Sequence, residues 1–267
     1  MEKPTVGFIG LGSQGAPMAR RIVEAGFPLF LWARRPESLT PYADTKARIA
    51  GSVAELGAAS DVVCVCVVDD AGVTEIAETL LPAMRPGSYF VIHSTINPNT
   101  CITIAEGFRA RGIAVVDAPV SGGGNGAAAG TLTVMAGGAA EDIEAVRPVF
   151  ESFARLISHL GGVGAGQYAK LVNNTLMAAN MAVADAALGA GAALNLDKAA
   201  LIELVKASSG HSYGFDVRAR LADVKMFTHG GKLLAKDVGL LGAVLAKDAN
   251  VEILQGVAEL FLKKIIP

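Results

Sequence analysis

Histidine, cysteine and tryptophan are scarce in this sequence of 267 residues. The four histidines, His93, His159, His211 and His229, lie far apart and lack the spacing of zinc ligands, so no metal site is expected. The three cysteines, Cys64, Cys66 and Cys101, make an odd number and no C-x-x-C pair. That excludes a disulfide framework. Cys64 and Cys66 alternate along an apolar run and read as small core residues in a reducing cytoplasm. An excess of either charge is also missing: the formal net charge is −2, which leaves no electrostatic footprint for nucleic acid or an anionic membrane surface. The opening "MEKPTVGFIG" lacks the basic segment, apolar stretch and small-residue cleavage site of a secretory signal. The longest apolar stretch, 175–194, is interrupted by Asn180 and Asp185. A carboxylate in mid-span is costly in lipid, so a buried helix away from any membrane is the expectation.

Hydrophobic residues are abundant instead, at 52%, and there are 31 glycines. This composition suits helices packed closely on a sheet. Short apolar runs at 5–10, 28–33, 61–68, 88–94 and 112–119 read as buried parallel strands, and 131–138 and 154–162 as the last strands. Helical patterns fall between them, near 15–25, 97–111 and 141–151. The alternation predicts an α/β fold, a Rossmann-type doubly wound sheet over residues 1–162. Beyond the glycine cluster at 161–166 strand signals stop. Helices are expected over 166–193, 197–208, 215–227, 233–249 and 251–265, with Asp197 capping the second. Residues 163–267 therefore read as an all-helical domain joined by a long helix.

The first turn carries chemistry. "GFIGLGSQGAPMA" sets Gly10, Gly12 and Gly15 between the first strand and the first helix. In that context the loop Gly10, Leu11, Gly12, Ser13, Gln14 and Gly15 fits a dinucleotide pyrophosphate. The glycines permit a tight turn, close backbone approach and helix–strand packing, and the helix N-terminus faces the phosphates. The end of the second strand reads "ARRP". Arg34 and Arg35 stand where an acid would bind a ribose 2′-hydroxyl, and no carboxylate appears until Glu37. A guanidinium fork matches a phosphate, so NADP(H) is the expected cofactor.

Four motifs together resemble the β-hydroxyacid dehydrogenase family, which includes 3-hydroxyisobutyrate dehydrogenases and small semialdehyde reductases. They are the glycine loop (with Gln14 where methionine is usual), "DAPVSGG" at 117–123, "GQYAKLVNN" at 166–174 and "KDVGL" at 236–240. The resemblance implies that Lys170 is the catalytic lysine and that Asn174 helps hold the substrate. It further implies that Ser121, Gly122 and Gly123 contact a substrate carboxylate. By the same resemblance Thr95 lies by the nicotinamide, Val67 and Val68 line the adenosine side, and Lys236 approaches the cofactor. The implied substrate is a small carboxylate-bearing carbonyl or hydroxyacid.

The residue chemistry agrees. Carbonyl reduction needs a hydride at carbon and a proton at oxygen, and a lysine in a partly apolar setting can give the proton. Asn174 lies four positions past Lys170, on the same helix face, and the pair is expected to face a cleft between the domains. "SGGGNG" offers consecutive backbone N–H groups to a carboxylate, or is a flexible connection. Asp117 reads as strand-end structure, and His93 as a structural histidine where the family often has aspartate. The chain ends soon after "KDVGL", where relatives commonly continue, so the site is expected to close with a partner subunit or without that tail. Alanine and glycine in the helical part suit subunit packing, so a homodimer or homotetramer is expected. The alternatives are an imine reductase-like enzyme, against which Lys170 argues because such enzymes usually lack the lysine, and a non-catalytic NADP-binding module.

Overall fold

A computed structural model describes residues 3–246 and 248–266. Lys247, inside the helix expected over 233–249, lies outside the described residues, as do residues 1, 2 and 267 at the ends of the two expected domains. The chain forms two compact units, one running through Lys170 and the other starting at Leu171.

In the first unit six strands pair in parallel: β1 (Val6–Ile9), β2 (Leu29–Trp32), β3 (Arg48–Ile49), β4 (Val62–Val65), β5 (Tyr89–Ile92) and β6 (Ala114–Asp117). Their order is β3-β2-β1-β4-β5-β6. Side chains alternate across the sheet, and both faces are covered. Phe8, Cys64 and Val91 join one core with α1 (Gly15–Glu24); Ile9, Val63, Val65 and Phe90 join the other. That second core also holds α2 (Val53–Ala59), α3 (Asp70–Ala83) and α4 (Pro98–Arg109). Each fully buried valine, leucine or phenylalanine contributes roughly 1.5–3 kcal/mol, which is why these short runs hold as strands. Burial keeps the thiols protonated, Cys66 being pushed up to about 12.

Register matters for function. Ile9 lies opposite Trp32 and Val65, Val65 opposite Ile92, and Ile92 opposite Asp117. Five strands thus end in one row, and the loops after them leave from one edge of the sheet. In such sheets ligands bind outside the carboxyl ends of the strands.

The last strands depart from expectation. They do not extend the six-stranded sheet. The strands β7 (Val120–Ser121), β8 (Leu132–Ala136) and β9 (Ala154–His159) form a second sheet, with β7 antiparallel to β8. Only Ala118 and Pro119 separate β6 from β7, too few residues for a parallel crossover. The second sheet hangs from the first by a reciprocal bridge: Asp117 N–H donates to Gly137 O at 3.0 Å, and Gly137 N–H to Asp117 O at 2.8 Å. The glycine-rich stretch between β7 and β8 is not a loose connection but a short helix, α5 (Gly123–Ala129). Between β8 and β9 runs α6 (Ala140–Phe150), whose Ile143, Val146, Val149 and Phe150 complete the first core.

The helix α7 (Ala165–Ala193) begins in the first unit and continues into the second. There follow α8 (Lys198–Lys206), α9 (Tyr213–Arg220), α10 (Thr228–Val244) and α11 (Ala249–Ile265). Asp197 caps α8 through Ala200 N–H at 2.8 Å. The single helix expected over 215–227 is interrupted. Leu221 is extended, and Asp223 caps a separate 3-10 turn by accepting from Lys225 N–H. Ala178, Met181 and Ala182 of α7 pack with Val238 of α10 and with Phe261 and Leu262 of α11. By length and composition α7 could cross a membrane. Its mid-helix Asp185 is held by Arg218 at 2.7 Å and Lys264 at 2.5 Å. Burial raises that carboxyl, but the two cations outweigh burial and hold it below the usual carboxylate range.

Candidate active site

The turn from β1 to α1 is built around its glycines. Gly10 has φ +99, and a Cβ there would run into Cys66 O. A Cβ on Gly15 would run into Gly10 O, whereas one on Gly12 would meet nothing within 4 Å. The flanking glycines therefore fix a tight turn while the space over Gly12 stays open. Gln14, at the N-cap, makes no side-chain cap bond, and the first turn of α1 holds no acidic residue. Uncapped N–H groups at the positive end of a ten-residue helix suit an anion, so the loop fits a dinucleotide pyrophosphate. Leu11 packs against the core; Gly12 and Ser13 are exposed.

The neighbouring strand ends supply the other expected cofactor residues. Arg34 and Arg35 follow β2 with side chains 75% exposed, held only loosely by Glu75 at 3.4 Å and Glu37 at 3.9 Å. Two exposed guanidinium groups therefore follow the strand that pairs with β1, which leads into the glycine turn. Val67 N–H donates to Ser94 Oγ at 2.8 Å, and its side chain lies against Gly10 and Gly72. Val68 is exposed. The first turn of α5 packs on the cofactor loop, since a Cβ at Gly124 would lie 2.6 Å from Ser13 O. Ser121, Gly122 and Gly123 sit just before that contact, and Gly122, at φ +130, turns the chain there.

The start of α7 is clamped to the same edge. Asp117, fully buried at the end of β6, accepts from Gly164 N–H at 2.7 Å and Gln167 N–H at 2.8 Å. Burial raises its carboxyl, and these N–H bonds act against the rise. A Cβ at Gly166 would run into Met135 O, so only glycine lets the helix approach this closely. The Gln167 side chain donates to Ser94 O at 2.8 Å and accepts from Ile96 N–H at 3.1 Å. Thr95, between those two, is half-buried. One turn beyond Gln167, Lys170 is only 8% exposed. Asp117 thus stands as the strand-end structure its sequence suggested, while Gln167, inside the quoted motif "GQYAKLVNN", carried no reading from the sequence.

His93 is structural. Its Nδ1 lies 2.7 Å from Ala118 O, and its ring packs among Phe8, Phe150 and Phe153. Among the described residues Nε2 has no hydrogen-bond partner. Burial lowers the imidazole to about 4, so the ring is neutral at physiological pH.

The second unit gathers the remaining expected residues. Asn174 Nδ2 donates to Asp237 Oδ2 at 2.6 Å, and Asn173 donates to Asn174 Oδ1 at 3.1 Å. Lys236 Nζ lies 3.4 Å from Asp237 Oδ1. Asp237, 3% exposed, orients both Asn174 and Lys236, a role the motif "KDVGL" did not by itself disclose.

Comparison with known proteins accords with this geometry. Residues 5–162 match a family described as the NAD binding domain of 6-phosphogluconate dehydrogenase. Residues 164–264 match one described as NAD-binding of NADP-dependent 3-hydroxyisobutyrate dehydrogenase. The chain is 37% identical to an NAD-dependent L-serine dehydrogenase of Pseudomonas aeruginosa, over 88% of this chain and 83% of that protein. It is 31% identical to the mitochondrial 3-hydroxyisobutyrate dehydrogenase of Mus musculus, over 89% and 75%. A solved structure of a Mycobacterium tuberculosis 3-hydroxyisobutyrate dehydrogenase with L-serine superposes with a TM-score of 0.87 at 29% identity, covering 98% of this chain and 93% of that one. A nicotinamide-binding sheet, a helical second unit and sequence similarity across nearly the whole length agree, and the chain belongs to the β-hydroxyacid dehydrogenase family of oxidoreductases.

Proposed function

We propose that this protein interconverts a small carboxylate-bearing carbonyl and its hydroxyacid with NADP(H), using Lys170 as general acid and base. The observation that carries this reading is the buried Lys170 on a helix whose first turn is clamped to the row of strand ends where the open Gly12 cradle also lies. When bound, the reduced nicotinamide supplies the hydride for the carbonyl carbon. The Lys170 ammonium gives its proton to the carbonyl oxygen and is left as the neutral amine; in the reverse direction the amine takes the proton. Ser121 and the N–H groups of Gly122 and Gly123 hold the carboxylate. Asn174, anchored by Asp237, keeps a second Nδ2 hydrogen for a substrate oxygen. The exposed Arg34 and Arg35, which the chain places after β2 with no acidic residue in the sequence between β2 and Glu37, support the 2′-phosphate over the 2′-hydroxyl.

The same reading takes 1–162 as the cofactor domain and 163–267 as the substrate and assembly domain of a cytoplasmic homodimer or homotetramer. Val172, Leu176 and Val183, exposed along one face of α7, support self-association.

The test is NADPH and NADH oxidation with a panel of semialdehydes, glyoxylate and cyclic imines, using wild type and Lys170→Ala. Turnover of the carboxylate-bearing carbonyls is expected, and Lys170→Ala should keep NADPH affinity while kcat drops by about 10² or more. Wild-type turnover in the variant refutes the role of Lys170. Binding without turnover, or turnover of imines alone, refutes the reaction.

A further inference from the structure

We propose that Gln167 is a positioning residue, its side-chain amide fixing the loop that carries Thr95 relative to the Lys170 amine. The inference rests on the function proposed above, with Thr95 beside the nicotinamide and Lys170 as proton donor, and adds what sets the two in register.

Gln167 is fully buried. Its Nε2–H bonds Ser94 O at 2.8 Å, and its Oε1 accepts Ile96 N–H at 3.1 Å. These backbone groups flank Thr95, and both meet the one Gln167 side-chain amide. One amide therefore grips the peptides before and after Thr95, as a neighbouring strand would. The contact joins segments 71 and 73 positions apart in sequence. The other end of the grip is equally fixed. Gln167 N–H donates to Asp117 Oδ2 at 2.8 Å, and Gly164 N–H to Asp117 Oδ1 at 2.7 Å, so neither the helix start nor the glutamine backbone can slide. Lys170 follows three residues later, on the adjoining part of the same face of α7. Ser94 in turn ties the loop to the end of β4 through Val67 N–H at 2.8 Å.

Hydride and proton must reach adjacent atoms of one carbonyl group, so a displacement of about 1 Å between their sources costs on the order of 10²-fold in rate. Only a side chain that both donates and accepts can make this grip. Ionised glutamate accepts alone and repels Ser94 O, whereas protonated glutamate offers one O–H and one carbonyl oxygen and restores both bonds.

The experiment compares Gln167→Leu, Gln167→Glu and Lys170→Ala with wild type. Gln167→Leu should lower kcat at least about tenfold, while the affinity for 2′-phospho-ADP-ribose, which lacks nicotinamide, changes less than about twofold. Backbone hydrogen exchange should accelerate at the Ile96 amide. Gln167→Glu, normalised to wild type at each pH, should regain kcat as pH falls and its carboxyl protonates, a recovery that a merely structural role would not produce. This second variant also decides the matter where Gln167→Leu fails to fold. Flat normalised kcat in Gln167→Glu, or wild-type kcat and Ile96 exchange in Gln167→Leu, overturns the inference. Should Lys170→Ala retain wild-type turnover, the proposed function fails instead, and the Ile96 exchange still reports whether the grip exists.

Discussion

His93 makes the first unit sensitive to acid. Its ring is buried among Phe8, Phe150 and Phe153, and burial lowers its pKa from 6.5 to about 4, against the hydrogen bond to Ala118 O. The unfolded chain binds a proton near pH 6.5 that the folded protein refuses until about pH 4. The unfolded state therefore carries more protons across that window, and stability falls as pH falls. The gap corresponds to about 3 kcal/mol when complete, and to about 2 kcal/mol between pH 7.5 and pH 5. Asp117 acts in the opposite sense. Its raised carboxyl protonates earlier in the folded state, so it favours the fold as pH drops, and the wild-type loss is a net value. The variant His93→Phe separates the two. It loses the bond to Ala118 at every pH but keeps the Asp117 contribution. The assay is urea unfolding followed through Trp32, the sole tryptophan, which sits on β2 of the same sheet. Wild type should lose about 2 kcal/mol more than His93→Phe between pH 7.5 and pH 5. Equal losses in the two proteins would show that the buried imidazole does not govern the acid limb.

Two other perturbations test the edge of the sheet. Replacing Arg34 and Arg35 together by alanine should weaken NADPH at least about tenfold, the scale of a charge-assisted hydrogen bond, and NADH less than about twofold; titrations giving equal losses would count against a 2′-phosphate site. Gly166→Ala forces a Cβ onto Met135 O and toward Asp117 O at 2.8 Å, so it should cost about 1–3 kcal/mol in denaturant unfolding and speed amide exchange at Gly164 and Gln167. A variant as stable and protected as wild type would show that α7 does not need this close approach.

The motifs legible in the sequence are those whose meaning is local. Gly10, Gly12 and Gly15 follow a strand and open a helix within a few residues, so the turn and its open cradle could be read directly. Asp197 and Ala200 are three residues apart, and the cap was equally visible. Where neighbouring signals competed, the pattern misled. The apolar spacing over 215–227 reads as one helix, but Asp223 captures Lys225 N–H and starts a new turn. The runs at 131–138 and 154–162 have strand character, yet nothing in them states which sheet they join. That choice follows from the two-residue step between β6 and β7 and from the Asp117–Gly137 bridge.

The sequence by itself determined the doubly wound sheet, the dinucleotide turn and the helical second half, because hydrophobic period and glycine spacing act over a few residues; the family was legible only as a resemblance carried by four motifs. Only the tertiary structure decided that Asp117 and Gln167 join the long helix α7 to the strand ends, that Asp237 orients Asn174 and Lys236, and that His93 is locked among aromatic rings. The Asp117, Gln167 and Asp237 bonds span roughly fifty to seventy positions, and a buried polar group takes whichever partner the packed chain brings within reach.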